Sequence, residues 1–222
     1  MIISAHPDDE ILGAGGTLIR HRDLGDEITW IIITNLFEKY GFSKQRIKSR
    51  KEEIYEIAKA LKIKKVVHFD YPTMQLTPAD LPTMIPQISK VFNDVKPHTI
   101  YTLNRSDAHS DHRVVFDAVF SCTKSFRNPF IREVMMYECL SETEFAPALP
   151  EKVFMPNCYI DISKQMDEKV DLMNIYESEL GEHPFPRSER NIRALGTYRG
   201  ASSGVEYAEA FQILKSYRHE KL

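Results

Sequence analysis

Between Glu27 and Thr34 the chain places Ile28, Trp30, Ile31, Ile32 and Ile33 in one run, so a strand here is apolar on both faces. A strand that buries both faces belongs inside a sheet covered by helices on either side, which points to parallel pairing. The flanking segments agree. Ile2 to Ala5 reads as a first strand, Gly15 to Arg22 as a helix stopped at Gly25, and Gln45 to Leu61 as a helix with Ile47, Ile54, Ile57, Ala58 and Leu61 near helical spacing. Lys65 to Phe69 reads as a third strand. Leu81 to Val95 is an amphipathic helix ended by Pro97, and Thr99 to Leu103 is a fourth strand. Strand and helix therefore alternate four times, which predicts a Rossmann-like, doubly wound α/β fold with a mostly parallel sheet and helices on both faces.

Beyond Val114 the pattern is weaker. It predicts a helix from Val114 to Thr123, strands at Glu133 to Cys139 and Phe154 to Ile160, and a long helix from Ser163 to Leu180. Loops are expected at Gly181 to Ser188 and Gly196 to Gly204, followed by a last helix from Val205 to Tyr217. A length of 222 residues suits one core, so one domain is expected over residues 1–222.

A net charge of -3 argues against nucleic acid as a partner. The longest apolar stretch, Trp30 to Thr34, is too short for a membrane span. Cys122, Cys139 and Cys158 are widely spaced with no Cys-x-x-Cys pair, so they read as core residues of a reduced, cytoplasmic protein rather than zinc thiolates.

The chemistry is concentrated in two places, each directly after a predicted strand. Ala5-His6-Pro7-Asp8-Asp9-Glu10 packs an imidazole and three carboxylates into five positions. Adjacent like charges stay together in a fold only when a cation or a proton compensates them. The second cluster, Arg105-Ser106-Asp107-Ala108-His109-Ser110-Asp111-His112-Arg113, carries two histidines three apart with a carboxylate between them. In open α/β sheets ligands bind beyond the carboxyl ends of the strands, so both loops are expected at one rim. His6 and Asp9 could face a metal from one turn, with His112 arriving from the other; two imidazoles and a carboxylate form the donor set of a catalytic zinc site. Iron or another divalent ion also suits such a mixed N/O set.

These residues resemble a known family, the zinc-dependent de-N-acetylases of the PIG-L or LmbE-like superfamily, which includes deacetylases of glucosaminylphosphatidylinositol, mycothiol and bacillithiol precursors. The matching pieces are Ala5 to Glu10 with Leu12-Gly13 and Gly15-Gly16-Thr17, then Arg50-Lys51-Glu52-Glu53, then His109 to Arg113. Tyr198-Arg199-Gly200, Gly204 and Tyr207 to Phe211 resemble a tail seen in bacterial members. The resemblance implies the same ligands, His6, Asp9 and His112. It also implies Asp8 as general base, His109 as an imidazolium supporting the oxyanion and protonating the amine, and Asp111 holding the His109 ring. Asp111 could equally cap the helix starting near His112.

Arg50 matches a position that in the family contacts substrate hydroxyls or phosphate, although on a helix rich in charge it also reads as a solvated residue paired with Glu53. Gly13, Gly15 and Gly16 are expected to let the backbone turn tightly behind the metal and to pack the helix on the sheet. His21, His68, His98, His183 and His219 read as surface or packing residues, with His183 on a Pro-rich loop able to cover the site.

The expected activity is hydrolysis of the N-acetyl group of a small amino sugar or its conjugate, with zinc as cofactor. Two other readings are a larger-amide hydrolase like the mycothiol-conjugate amidases and a non-catalytic metal or sugar-nucleotide binding module. A homo-oligomer is left open.

Overall fold

A computed structural model of the chain describes residues 1–218, so His219 lies outside the described residues. Among the described residues seven strands form one sheet: β1 (Ile2–Ser4), β2 (Thr29–Asn35), β3 (Lys65–Pro72), β4 (Thr99–Leu103), β5 (Glu133–Tyr137), β6 (Cys158–Asp161) and β7 (Ala208–Ser216). Their order across the sheet is β3-β2-β1-β4-β5-β7-β6. The first five are parallel, and β7 runs antiparallel to both β5 and β6.

The helices are α1 (Asp9–Leu24), α2 (Lys44–Ala60), α3 (Leu81–Val95), α4 (Ser110–Ser121), α5 (Met166–Ile175) and α6 (Glu189–Ser203). α5 packs against α1, α2 and α6, while α3 and α4 pack on each other, so the sheet has two helical layers. Ile2, Ile3, Trp30, Ile31, Ile32 and Ile33 are fully buried between them, as a strand apolar on both faces requires. At β1 the winding reverses, because β2 and β3 extend the sheet one way and β4 and β5 the other. That reversal opens a crevice at the carboxyl ends of β1 and β4. Both charged clusters start there.

α3 and β4 match the predicted bounds, and Gly25 caps α1 with φ 81. α1 starts at Asp9, earlier than its pattern suggests, because Ala14 leaves helical geometry at φ -143 and bends the helix. The amides of Gly16 and Thr17, which the bend deprives of helical partners, donate to the Glu209 carboxylate at 2.8 and 2.7 Å. Lys169 Nζ neutralises Glu209 at 2.7 Å and donates to Leu12 O at 2.9 Å.

The C-terminal region corrects the prediction. The segment expected as a loop from Gly196 is the second half of α6, and the expected helix from Val205 is strand β7. Gly196 and Gly200 read as loop residues, yet they are glycines because neighbours leave no room for a side chain. A Cβ would fall 2.3 Å from the Met166 methyl at Gly196 and 2.5 Å from Glu206 O at Gly200. Ala208 to Ser216 favours helix by composition, but β5 and β6 both take their ladder hydrogen bonds from it, and pairing overrides propensity. The long helix expected to Leu180 stops at Ile175. Tyr176 turns inward, where its hydroxyl donates to Glu10 Oε1 at 2.8 Å, and a 3₁₀ turn follows over Glu177–Glu179.

The glycines of α1 serve close packing rather than a tight turn; the tight turn is at Asp8, with φ 132. A Cβ on Gly13 would lie 2.1 Å from the Tyr137 ring, whose hydroxyl is tied to Ile3 O at 2.8 Å. Gly13→Ala is therefore expected to cost about 1–3 kcal/mol of stability, read as a lowered midpoint in urea unfolding.

Candidate metal centre

The turn after β1 is built around one carboxylate. Asp9 Oδ2 accepts hydrogen bonds from the backbone amides of Ala5, at 2.9 Å, and His6, at 2.8 Å. This leaves Asp9 Oδ1 facing the other loop. Asp8, between them, is held at φ 132, a conformation that costs a non-glycine residue about 1–3 kcal/mol. Its carboxylate makes no capping hydrogen bond to α1. Glu10 accepts from Asp8 N at 3.1 Å instead, and burial pushes its carboxyl up to about 8.

The loop after β4 orients one imidazole. Asp107 Oδ2 binds His112 Nδ1 at 2.9 Å, and Asp107 Oδ1 accepts from Asn104 Nδ2 and Thr143 Oγ1, each at 2.7 Å. His112 Nε2 is buried, has no hydrogen-bond partner among the described residues, and lies 3.3 Å from Asp9 Oδ1. The structure thus brings His6, Asp9 and His112 together, with one donor atom from each within 4.8 Å of the others.

A buried imidazole nitrogen without a partner, its opposite nitrogen fixed by a carboxylate, is what a metal-ligating histidine looks like in the absence of its ion. The trio therefore fits a divalent cation. Burial alone would raise Asp9, but the imidazoles of His112 and His6 hold its carboxyl far below the usual range. Burial would lower His112, and Asp9 with Asp107 raises it instead.

Of the remaining expected residues, Asp8, His109 and Arg50 line the same pocket, about 270 Å³ in volume, and Asp111 does not; not all make the expected pairings. Burial, then repulsion from Asp9 and Glu179, lifts the Asp8 carboxyl well above its usual value against the pull of Arg187 and Arg50. Burial and the nearby imidazoles of His6 and His112 push His109 down to about 4, so the ring is neutral at pH 7 rather than the expected imidazolium. Its Nδ1 accepts from Asp111 N at 3.1 Å, which leaves the ring proton on Nε2.

His109, not Asp111, thus caps α4. Nor does the Asp111 carboxylate hold His109: Oδ2 binds His6 Nε2 at 3.0 Å and Met74 N at 2.7 Å, and Oδ1 accepts from Leu76 N at 3.1 Å. The backbone after β3 supplies two donors to this carboxylate, and they turn it toward His6.

Arg50 is buried rather than solvated; it donates to Pro7 O, pairs with Glu179, and lies 3.1 Å from Glu53 Oε2. The pocket also contains His68, Arg46, Glu142, Glu179 and Arg187, which sequence reading did not select. His183 is exposed and does not line it; Arg187, four residues on, does. Of the unselected residues only Asp107 had a signal, its place inside the second cluster. The others come from elements whose order in space is not written in local spacing.

The family described as PIG-L: GlcNAc-PI de-N-acetylase matches residues 1–123. Diacetylchitobiose deacetylase of Thermococcus kodakarensis is 23% identical over 96% of this chain and 82% of its own length. The solved N,N'-diacetylchitobiose deacetylase from Pyrococcus horikoshii superposes with a TM-score of 0.76 at 20% identity, covering 96% of this chain and 82% of the other. The 4-carboxy-2-hydroxymuconate hydratase GalB of Pseudomonas putida KT2440 shares the fold at a TM-score of 0.73 and 17% identity, covering 100% of this chain and 98% of the other. Fold alone therefore does not select the reaction, and the side chains must.

Asp107→Asn removes the anionic partner of His112 Nδ1. It is expected to weaken zinc binding about 10- to 100-fold in competition with a chromophoric chelator, with the circular dichroism spectrum retained.

Proposed function

The chain belongs to the PIG-L (GlcNAc-PI de-N-acetylase) family, and from that premise we propose that it hydrolyses the N-acetyl group of an amino sugar or its conjugate, giving acetate and a free amine. The observation that carries this reading is the placement of Asp8. Its carboxylate is buried, makes no cap to α1, and shares a pocket with the donor trio, where an attacking water would need a base.

His6, Asp9 and His112 would hold the cation, zinc or ferrous iron. When bound, the ion supplies Lewis-acid polarisation of a carbonyl oxygen and acidification of water. Asp8 takes the proton from the water as the water oxygen bonds to the amide carbon. A carboxyl raised by burial is a stronger base than a solvated one, which suits this step. His109, protonated at Nε2, donates to the developing oxyanion. As the C–N bond breaks, Asp8 returns its proton to the departing nitrogen, so the carboxylate is regenerated and the atoms balance. Asp111 fixes the His6 ring through Nε2 and thereby the donor trio.

Diacetylchitobiose deacetylases among the similar proteins support an acetylated sugar as substrate class. Neither a larger-amide hydrolase nor a binding-only module is favoured, and a binding-only module would have no use for Asp8. No helix among the described residues is long and apolar enough to cross a membrane.

The test is acetate release from N-acetylglucosamine conjugates by the metal-loaded protein. Asp8→Ala is expected to lower the rate at least about 100-fold with metal content retained, whereas His112→Ala loses the metal itself. Stripping the metal with a chelator is expected to abolish release, and zinc or ferrous iron to restore it. Full acetate release by the stripped protein or by Asp8→Ala would overturn the mechanism.

A further inference from the structure

One wall of the pocket is formed by three guanidiniums, Arg46, Arg50 and Arg187, gathered from α2 and from the loop before α6. Such a cluster ordinarily marks a site for phosphate or carboxylate, because guanidinium forks match planar oxyanions. Here the anion is already part of the chain. Glu179, at the end of the 3₁₀ turn after α5, accepts from Arg46 Nη2 at 2.7 Å and from Arg50 Nη2 on Oε1, and from Arg187 Nη2 at 3.2 Å on Oε2.

The same residue's carbonyl takes Arg187 Nε at 2.7 Å, and Arg187 Nη1 donates to Ser141 Oγ at 3.1 Å. Arg46 Nη1 donates to Glu53 Oε1 at 2.9 Å, and Arg50 Nη1 donates to Pro7 O while its guanidinium lies over the Tyr176 ring at 5.4 Å. Three cations thus face the carboxylates of Glu53, Glu179 and the nearby Asp8.

We infer that Glu179 is a specificity-determining residue: as an internal anion filling an arginine cage, it reserves the pocket for an uncharged N-acetyl sugar and turns away one bearing a phosphate. The inference rests on the N-deacetylase reading and names its substrate class. A phosphorylated sugar arriving at this wall meets the Glu179 carboxylate and guanidiniums whose forks are taken. A neutral sugar meets a wall whose charge is balanced, with Ser141 and Asn35 on the pocket lining.

The experiment compares N-acetylglucosamine with its 1-phosphate and 6-phosphate as substrates of the metal-loaded wild-type protein, Glu179→Gln and Glu179→Asp. The wild type is expected to favour the neutral sugar at least about tenfold in kcat/KM. Glu179→Gln, which keeps shape but frees the guanidiniums, is expected to move that ratio at least about tenfold toward a phosphorylated sugar, and Glu179→Asp to keep the wild-type preference.

A wild type that prefers either phosphate, or a ratio that Glu179→Gln leaves unchanged, would overturn the inference. If no N-acetyl sugar is turned over, the deacetylase reading fails separately. The wall is then read by calorimetric titration with inorganic phosphate, where binding at least about tenfold tighter to Glu179→Gln than to wild type supports the cage and equal affinities refute it. Should Glu179→Gln not fold, the wild-type preference between the neutral and phosphorylated sugars still decides.

Discussion

Asp9 joins the two halves of the site. One oxygen of its carboxylate closes the turn after β1 through the amides of Ala5 and His6, and the other faces His112 from the loop after β4. Those loops are separated by about half the chain, yet the parallel sheet places β1 and β4 side by side. The polar cluster around Asp9 is satisfied only in part, because His112 Nε2 is buried without a hydrogen-bond partner among the described residues. Burial makes that deficit costly, and a bound cation would relieve it. The strained Asp8 belongs to the same economy, since φ 132 lets consecutive carboxylates point to different tasks.

The first 123 residues were largely legible because local pattern and global fold agree there. Leu81 to Val95 has one apolar stripe and a stop at Pro97, and Trp30 to Ile33 is apolar throughout, so each element announces both its type and its layer. The candidate donor cluster stood out for a different reason: His6, Asp9 and His112 sit in dense polar clusters that a core cannot explain. The later elements gave no such agreement. Ala208 to Ser216 has a helical composition and is a strand because β5 and β6 need its backbone. Gly196 and Gly200 signal a loop but lie within a helix, where Met166 and Glu206 leave no room for a side chain.

Second partners were the least legible. That Asp107 rather than Asp111 fixes the ring of His112, and that Asp111 serves His6, depends on which backbone amides reach each carboxylate. Met74 and Leu76 decide the second case from a loop that carries no chemistry in its sequence. Likewise the arginine wall depends on Glu179 standing where α5 breaks, and α5 breaks there because Tyr176 is drawn in to Glu10. Burial of one phenol hydroxyl thus sets the chain path that delivers a carboxylate to three arginines.

The capping of Gly16 and Thr17 by Glu209 spans 193 and 192 positions of sequence, from the helix that carries Asp9 to the final strand. In synthesis the turn bearing His6 and Asp9 precedes Glu209, so the bent helix behind that turn lacks its acceptor until β7 is made. Contacts this distant are closed late and slow the search for the native state. The helix that carries Asp9 is therefore completed only when β7 joins the sheet.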